Sequence, residues 1–217
     1  MMSSGLRVLD QAEVTYFLPD QRVAQVVLNP ALSNCERFDL MAGYFSAAVL
    51  AEMSHGLAAF ILNSQERLRF LISPVLSPED QQALADGSDP EFVADEFLER
   101  VFNDEEALQN ALALHSKKCL AFLLSKNRLE MRIVLMRKGL FHPKAWIFAQ
   151  SGDVAVLSGS ANATGSALTA NVEQVRLDRS WRGEDSLQAC KDMERFFEDY
   201  WENQRPEVGL SVPVSEL

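Results

Sequence analysis

The chain has 217 residues, 47% of them hydrophobic, and a formal charge of −11 at pH 7. That length suits one compact α/β domain, or one with a helical insertion, and excludes two sizeable domains. The acidic balance excludes a broad basic face that holds nucleic acid non-specifically, so any phosphate contact must be local.

In chain order, residues 6–9 read as a short strand, and 21–33 carry Val23, Val26, Val27 and Leu32 at helical spacing. Residues 37–44 form an apolar run ending at Gly43, a buried strand, and Ser46 is placed to cap a helix running to about 62. A second short apolar run, 67–72, stops at Ser73-Pro74 and completes a strand–helix–strand unit of the kind that makes parallel neighbours. From 77 to 126 the texture turns acidic and rich in Ala and Leu, which predicts a helical insertion with start signals at Ser77 and Asp89-Pro90. Apolar residues there, from Phe97 and Leu98 to Leu108 and Leu112, repeat every three or four positions, so His115, like His55, is expected on a helix surface. Strands return at 131–136, 144–149, 154–158 and 172–177, separated by short loops containing Gly139, Gly152 and Gly159. A final helix over 184–203 aligns Leu187, Cys190, Met193, Phe196, Phe197 and Tyr200 for packing on the sheet or for a dimer face. Residues 1–205 are thus one domain, and 206–217, with two prolines and no period, read as a tail or linker cut from a longer chain.

Cys35, Cys119 and Cys190 are far apart, form no CxxC pair and have no histidine spaced for zinc; they read as small core residues in a reducing compartment. No apolar stretch reaches membrane-spanning length and no signal peptide opens the chain, so a soluble, cytoplasmic protein is expected.

Chemistry concentrates in Phe141-His142-Pro143-Lys144, then Gly159-Ser160-Ala161-Asn162-Ala163-Thr164, then Glu173. On a strand, His142 and Lys144 point to the same side. An imidazole nitrogen can attack phosphorus while the neighbouring ammonium neutralises charge on the non-bridging oxygens. Gly159 and Ser160 let backbone approach a ligand, the Asn162 amide adds a donor, and Glu173 can hydrogen-bond the imidazole and fix its tautomer. We take His142, Lys144, Asn162 and Glu173 as candidate catalytic residues and Gly159, Ser160 and Thr164 as candidate substrate-binding residues, with no metal and no cofactor.

The order His, Lys, GSxN and then Glu eleven residues beyond Asn162 closely resembles the HKD motif of the phospholipase D superfamily. Residues 38–46 resemble the strand and helix start found early in such domains, with Gly43, Tyr44 and Phe45 either a strand end packing into the core or part of the pocket, while 77–126 is unmatched. The resemblance implies an α/β fold with a phospholipase D-like mixed sheet flanked by helices. One departure stands out: the family's Asp, five residues after the Lys, is Ala149 here, and the nearest acid is Asp153 in a predicted turn. In the superfamily two such motifs share one active site, one histidine forming a phosphohistidine and the other protonating the leaving oxygen. This chain supplies one motif, so a two-fold homodimer is expected to complete the site.

The wording FHPKAWIF and LSGSANAT resembles modules attached to helicases and to restriction or phage-defence enzymes, which implies a DNA nuclease and a possible downstream helicase or other domain. Lys117, Lys118, Lys126, Arg128, Arg132, Arg137 and Lys138 either form a local phosphate groove or are ordinary surface charge. Two other functions compete: hydrolysis of a small phosphodiester or phospholipid, disfavoured by the lack of a basic amphipathic helix, and a catalytically weak module that binds nucleic acid or a partner, favoured by Ala149.

Overall fold

The computed structural model describes residues 5–75 and 104–216, with residues 79, 82 and 86 between them. Its centre is one eight-stranded sheet: β1 (Thr15–Leu18), β2 (Arg37–Ala42), β3 (Leu68–Ile72), β4 (Leu129–Met136), β5 (Ala145–Gln150), β6 (Asp153–Gly159), β7 (Glu173–Arg179) and β8 (Gly209–Pro213), in the order β1-β7-β6-β5-β2-β3-β4-β8. β2, β3 and β4 are mutually parallel, and every other pairing is antiparallel.

The parallel strands require helical crossovers, and these cover one face. A π-helical turn (Ala24–Leu28) runs into α1 (Asn29–Leu32) ahead of β2. α2 (Val49–Glu52) and α3 (Ser54–Asn63) link β2 to β3, and α4 (Glu105–Leu114) and α5 (Ser116–Ser125) precede β4. Of the predicted helical stretch 77–126, the part from 104 onward is helical; the start signals at Ser77 and Asp89-Pro90 and the apolar Phe97 and Leu98 lie outside the described residues. α6 (Gly165–Thr169) follows β6, and α7 (Glu184–Trp201) crosses the opposite face.

Strand alternation divides the core. Phe38 and Leu40 of β2, with Trp146 and Phe148 of β5, face the α1–α5 layer, and the Phe38 ring stacks on Phe148 at 5.1 Å and meets Phe70 edge-on at 5.9 Å. Each such aromatic pair adds about 0.5–1.5 kcal/mol beyond simple burial. Met41, Leu71, Val134 and Ile147 face α7 and meet Cys190, Phe197, Tyr200 and Trp201. Of the two roles open to the apolar stripe of this helix, packing on the sheet is the one observed.

The α7 face also buries charge. Asp39 is 1% exposed and takes a bidentate bond from Arg69, with both N···O distances 2.7 Å. Glu198 of α7 shares Arg69 at 2.7 Å, and the guanidinium lies 4.8 Å from the Phe197 ring centroid. Burial pushes the Asp39 carboxyl up, while Arg69 and Arg37 pull it back.

Two expectations change. Residues 5–9 form a 3-10 turn, and the first strand lies further on, over Thr15–Leu18, where β-favouring Thr, Tyr and Phe cluster. Within the expected tail, residues 209–213 form β8, which pairs with β4 from Arg132↔Pro213 to Met136↔Gly209. An edge position tolerates Pro213, and Asn203 fixes the strand by donating to Ser211 O at 3.0 Å and accepting from Ser211 N.

Candidate active site

Topology brings distant segments to one end of the sheet. β5 runs antiparallel to β2 with Met41 opposite Ala145, so residues just before β5 lie beside those just after β2. The end of β6 pairs with the start of β5 and of β7, Ala145↔Ser158 and Gly159↔Val175. His142-Lys144, Gly43-Phe45, Gly159-Asn162 and Glu173 therefore meet where the parallel strands finish, the usual ligand end of such sheets.

His142 and Lys144 sit in the segment that leads into β5 rather than inside the strand. The residue before a proline is pushed out of the helical region, so Pro143 biases His142 away from helix in this lead-in. Lys144 Nζ lies 2.7 Å from His142 Nδ1 and 3.1 Å from Nε2, and donates to His142 O at 2.9 Å. The Lys144 Nζ therefore lies beside the imidazole, close to both of its nitrogens, where its charge can act on whatever the ring attacks. Burial lowers the Lys144 pKa, and the charge of Glu173 partly restores it.

Three neighbours hold the imidazole. Phe141 is buried against Tyr200 of α7 with ring centroids 5.1 Å apart, so the final helix anchors the residue before His142. The Tyr44 ring stands edge-on to the imidazole at 5.6 Å and 88°. Gly43 leaves the space for the ring: a Cβ there would come within 3.0 Å of His142 Cγ and Nε2 and nearer still to Cδ2.

The GSxN loop is tied on from both sides. Asn162 Oδ1 accepts from Tyr44 N at 3.0 Å, Phe45 bridges Ala163, and Ser46 N donates to Ala163 O at 3.0 Å. The Asn162 amide oxygen is thereby engaged, which turns its NH2 group toward other acceptors. Gly159 N donates to Lys144 O at 3.3 Å, and a Cβ at Gly159 would come 2.8 Å from Val175 Cα and nearer still to Gln174 O, so β7 requires glycine there. Ser160 Oγ hydrogen-bonds Glu173 and accepts from Gln174 N at 3.0 Å, while Asn171 Nδ2 donates to Glu173 at 3.4 Å. The Glu173 carboxylate is thus held by Ser160 and Asn171 rather than by the imidazole, and it acts on the site through its charge on Lys144. Thr164 caps α6, accepting from Ala167 N at 3.1 Å. Sequence reasoning left Gly43, Tyr44 and Phe45 open between a strand end and a pocket role and gave Phe141 no contact with the imidazole.

The family Asp position, Ala149, pairs with Arg37 at the far end of β5, and Asp153 is bound by Arg7 in two bonds of 2.6 and 3.0 Å. Asp153 is therefore no substitute at the site. Burial raises the thiols of Cys119 and Cys190 to about 12, which fits core roles. His55 is an exposed helix-surface residue, as expected, whereas His115, also exposed, lies outside helical geometry at the break between α4 and α5. Among the described residues no three His, Cys, Asp or Glu side chains gather as metal ligands, and no helix is long and apolar enough to cross a membrane.

The seven basic residues ahead of His142 divide. Arg128 donates to Ile61 O and Ser64 O at 2.8 Å, Arg132 binds Glu130 and Trp201 O, Arg137 donates to Pro206 O at 2.8 Å, and Lys126 lies over the Phe122 ring. Lys117, Lys118 and Lys138 are exposed.

The sequence matches no protein-family model and no curated protein. Among solved structures the chain is similar to the phospholipase D family member Nuc from Salmonella typhimurium, with 15% identity, a TM-score of 0.50, and coverage of 87% of this chain and 92% of that one. It is also similar to NucT from Helicobacter pylori (15% identity, TM-score 0.49, coverage 85% and 94%) and to a yeast tyrosyl-DNA phosphodiesterase mutant (12% identity, TM-score 0.42, coverage 76% and 30%). The chain has the phospholipase D-superfamily fold: a large mixed sheet flanked by helices, as the sequence implied.

Proposed function

We propose that this protein is a phosphodiester hydrolase acting on DNA through a covalent His142 intermediate, without a metal. One observation carries the reading: four segments far apart in sequence converge so that His142, Lys144 and Asn162 share one open sheet end, with the Lys144 amino group beside the imidazole nitrogens. In the proposed reaction a ring nitrogen attacks phosphorus, the P–O bond to the leaving group breaks, and that oxygen takes a proton. Water then attacks the phosphohistidine, the P–N bond breaks, and the water's proton returns to the base. Lys144 and the Asn162 amide group stabilise the charge on the non-bridging oxygens.

One chain holds one such histidine, and the proton donor is then His142 of the partner subunit in a two-fold homodimer. Exposed apolar residues flank the site and support that arrangement: Tyr44, Leu140 and Val172, the last 90% exposed. Light scattering that returns a strict monomer during turnover argues against it. The restriction, phage-defence or helicase setting rests on the resemblance of the motif wording, and the similarity of fold to Nuc is compatible with a nuclease.

The second reading, a catalytically weak binding module, draws on Ala149 and on the engagement of Asp153 by Arg7. Incubating wild type and His142→Ala with DNA, RNA and bis-p-nitrophenyl phosphate in EDTA separates the two. Hydrolysis by wild type that vanishes in the variant supports the enzyme, and equal silence from both supports the binding module.

A further inference from the structure

The α4–α5 junction carries a feature that the hydrolytic reading does not use. A cleft of about 380 Å³ lies between the loop after β2 and this junction, lined by Ser46, Ala48, Leu114, His115, Lys117 and Lys118 among others. α5 leads into β4 through only three residues, so it runs back along the sheet and its first turn lies at the end where β2, β3 and β4 finish.

The cleft and the catalytic loop share a wall. Ser46 N is bound to Ala163 O, the neighbour of Asn162, and Ala48 packs against Gly165. Ser46 lies two residues from Tyr44, at most about 7 Å of chain, and the Tyr44 ring touches His142. The cleft and His142 thus lie at the same end of the sheet, linked through the segment from Tyr44 to Ser46. Its charge also sets the cleft apart. Most described arginines bond internally, whereas Lys117 and Lys118 are exposed and enter no ion pair among the described residues. Leu114, 77% exposed beside them, offers an apolar surface to an unstacked base.

We propose that this cleft is a docking subsite for the phosphodiester backbone of a single nucleic-acid strand, whose scissile phosphate lies at His142. The inference rests on the hydrolytic reading for its link to His142, but not for the binding itself. A single strand fits better than a duplex because the cleft is local and the chain carries −11, with no broad basic face.

The test compares wild type with Lys117→Ala/Lys118→Ala. It follows the anisotropy of a short fluorescein-labelled oligothymidylate and of a duplex of equal length over a salt series, with bis-p-nitrophenyl phosphate hydrolysis in parallel. We expect strand affinity to fall about tenfold and the slope of log K against log salt to shrink by about 1.4, two contacts at roughly 0.7 each. The duplex should bind more weakly throughout, and the small diester should turn over at the wild-type rate. Unchanged strand affinity and slope overturn the subsite, as does a duplex bound as tightly as the strand or a matching loss of small-diester turnover. A wild type that binds the strand through these lysines yet never hydrolyses the small diester leaves the subsite standing and rejects the hydrolytic reading.

Discussion

Replacing Gly43 by alanine probes the site without replacing a catalytic side chain. The new Cβ would lie within 3.0 Å of His142 Cγ and Nε2 and nearer still to Cδ2, where ordinary carbon contacts are about 3.5–4.0 Å, so the ring must retreat by about 1 Å. Misplacing a reacting group by that much costs about a hundredfold in rate, about 2.7 kcal/mol of barrier. The fold should not suffer. His142 is exposed and can swing toward water, and Gly43 is not among the glycines with positive φ, so alanine there lowers unfolded-chain entropy by an equivalent of about 0.4–1 kcal/mol. The expected result is a variant whose melting temperature is unchanged or slightly raised, and whose kcat on bis-p-nitrophenyl phosphate falls about a hundredfold. Full activity in Gly43→Ala would refute the idea that a fixed imidazole position governs the rate.

Other consequences concern charge, pairing and the edge of the sheet. Glu173 opposes the lowering of the Lys144 pKa, so Glu173→Gln should move the alkaline limb of the pH–rate profile to lower pH; an unmoved or higher limb rejects that role. Asp39→Asn leaves Arg69 with Glu198 alone and should lower urea stability by about 3 kcal/mol, whereas a loss under about 1 kcal/mol shows that Glu198 suffices. Ending the chain at Arg205 removes β8 and bares the β4 edge, so the shortened protein should aggregate where the full chain does not. A stable, monodisperse truncation would make β8 dispensable.

What the sequence revealed follows from which signals are local. The strands at 37–42, 68–72 and 129–136 were legible because short runs such as Phe70-Leu71-Ile72 are bounded by turn chemistry, and α7 because its apolar stripe persists for five turns. β8 was not legible: Gly209–Pro213 reads as a strand only once β4 offers an edge and Asn203 clamps Ser211, both of which are tertiary facts. At the site, the spacing of His142, Lys144 and the GSxN loop was plain. The partners were less so. Ser160 rather than the imidazole takes Glu173, and Tyr44, a hundred residues away from the motif, supplies the bond to Asn162. Gly43 carried a usable signal, since a glycine closing an apolar strand marks a close approach.

The central claim is that His142 attacks phosphorus. Its most direct measurement is the mass of the peptide containing His142 after rapid alkaline quench of enzyme turning over bis-p-nitrophenyl phosphate in EDTA. The account predicts a nitrophenylphosphoryl adduct on His142, formed and consumed at rates compatible with turnover and missing from His142→Ala. Steady hydrolysis in EDTA with no adduct at any time point, or with His142→Ala as active as wild type, would contradict it.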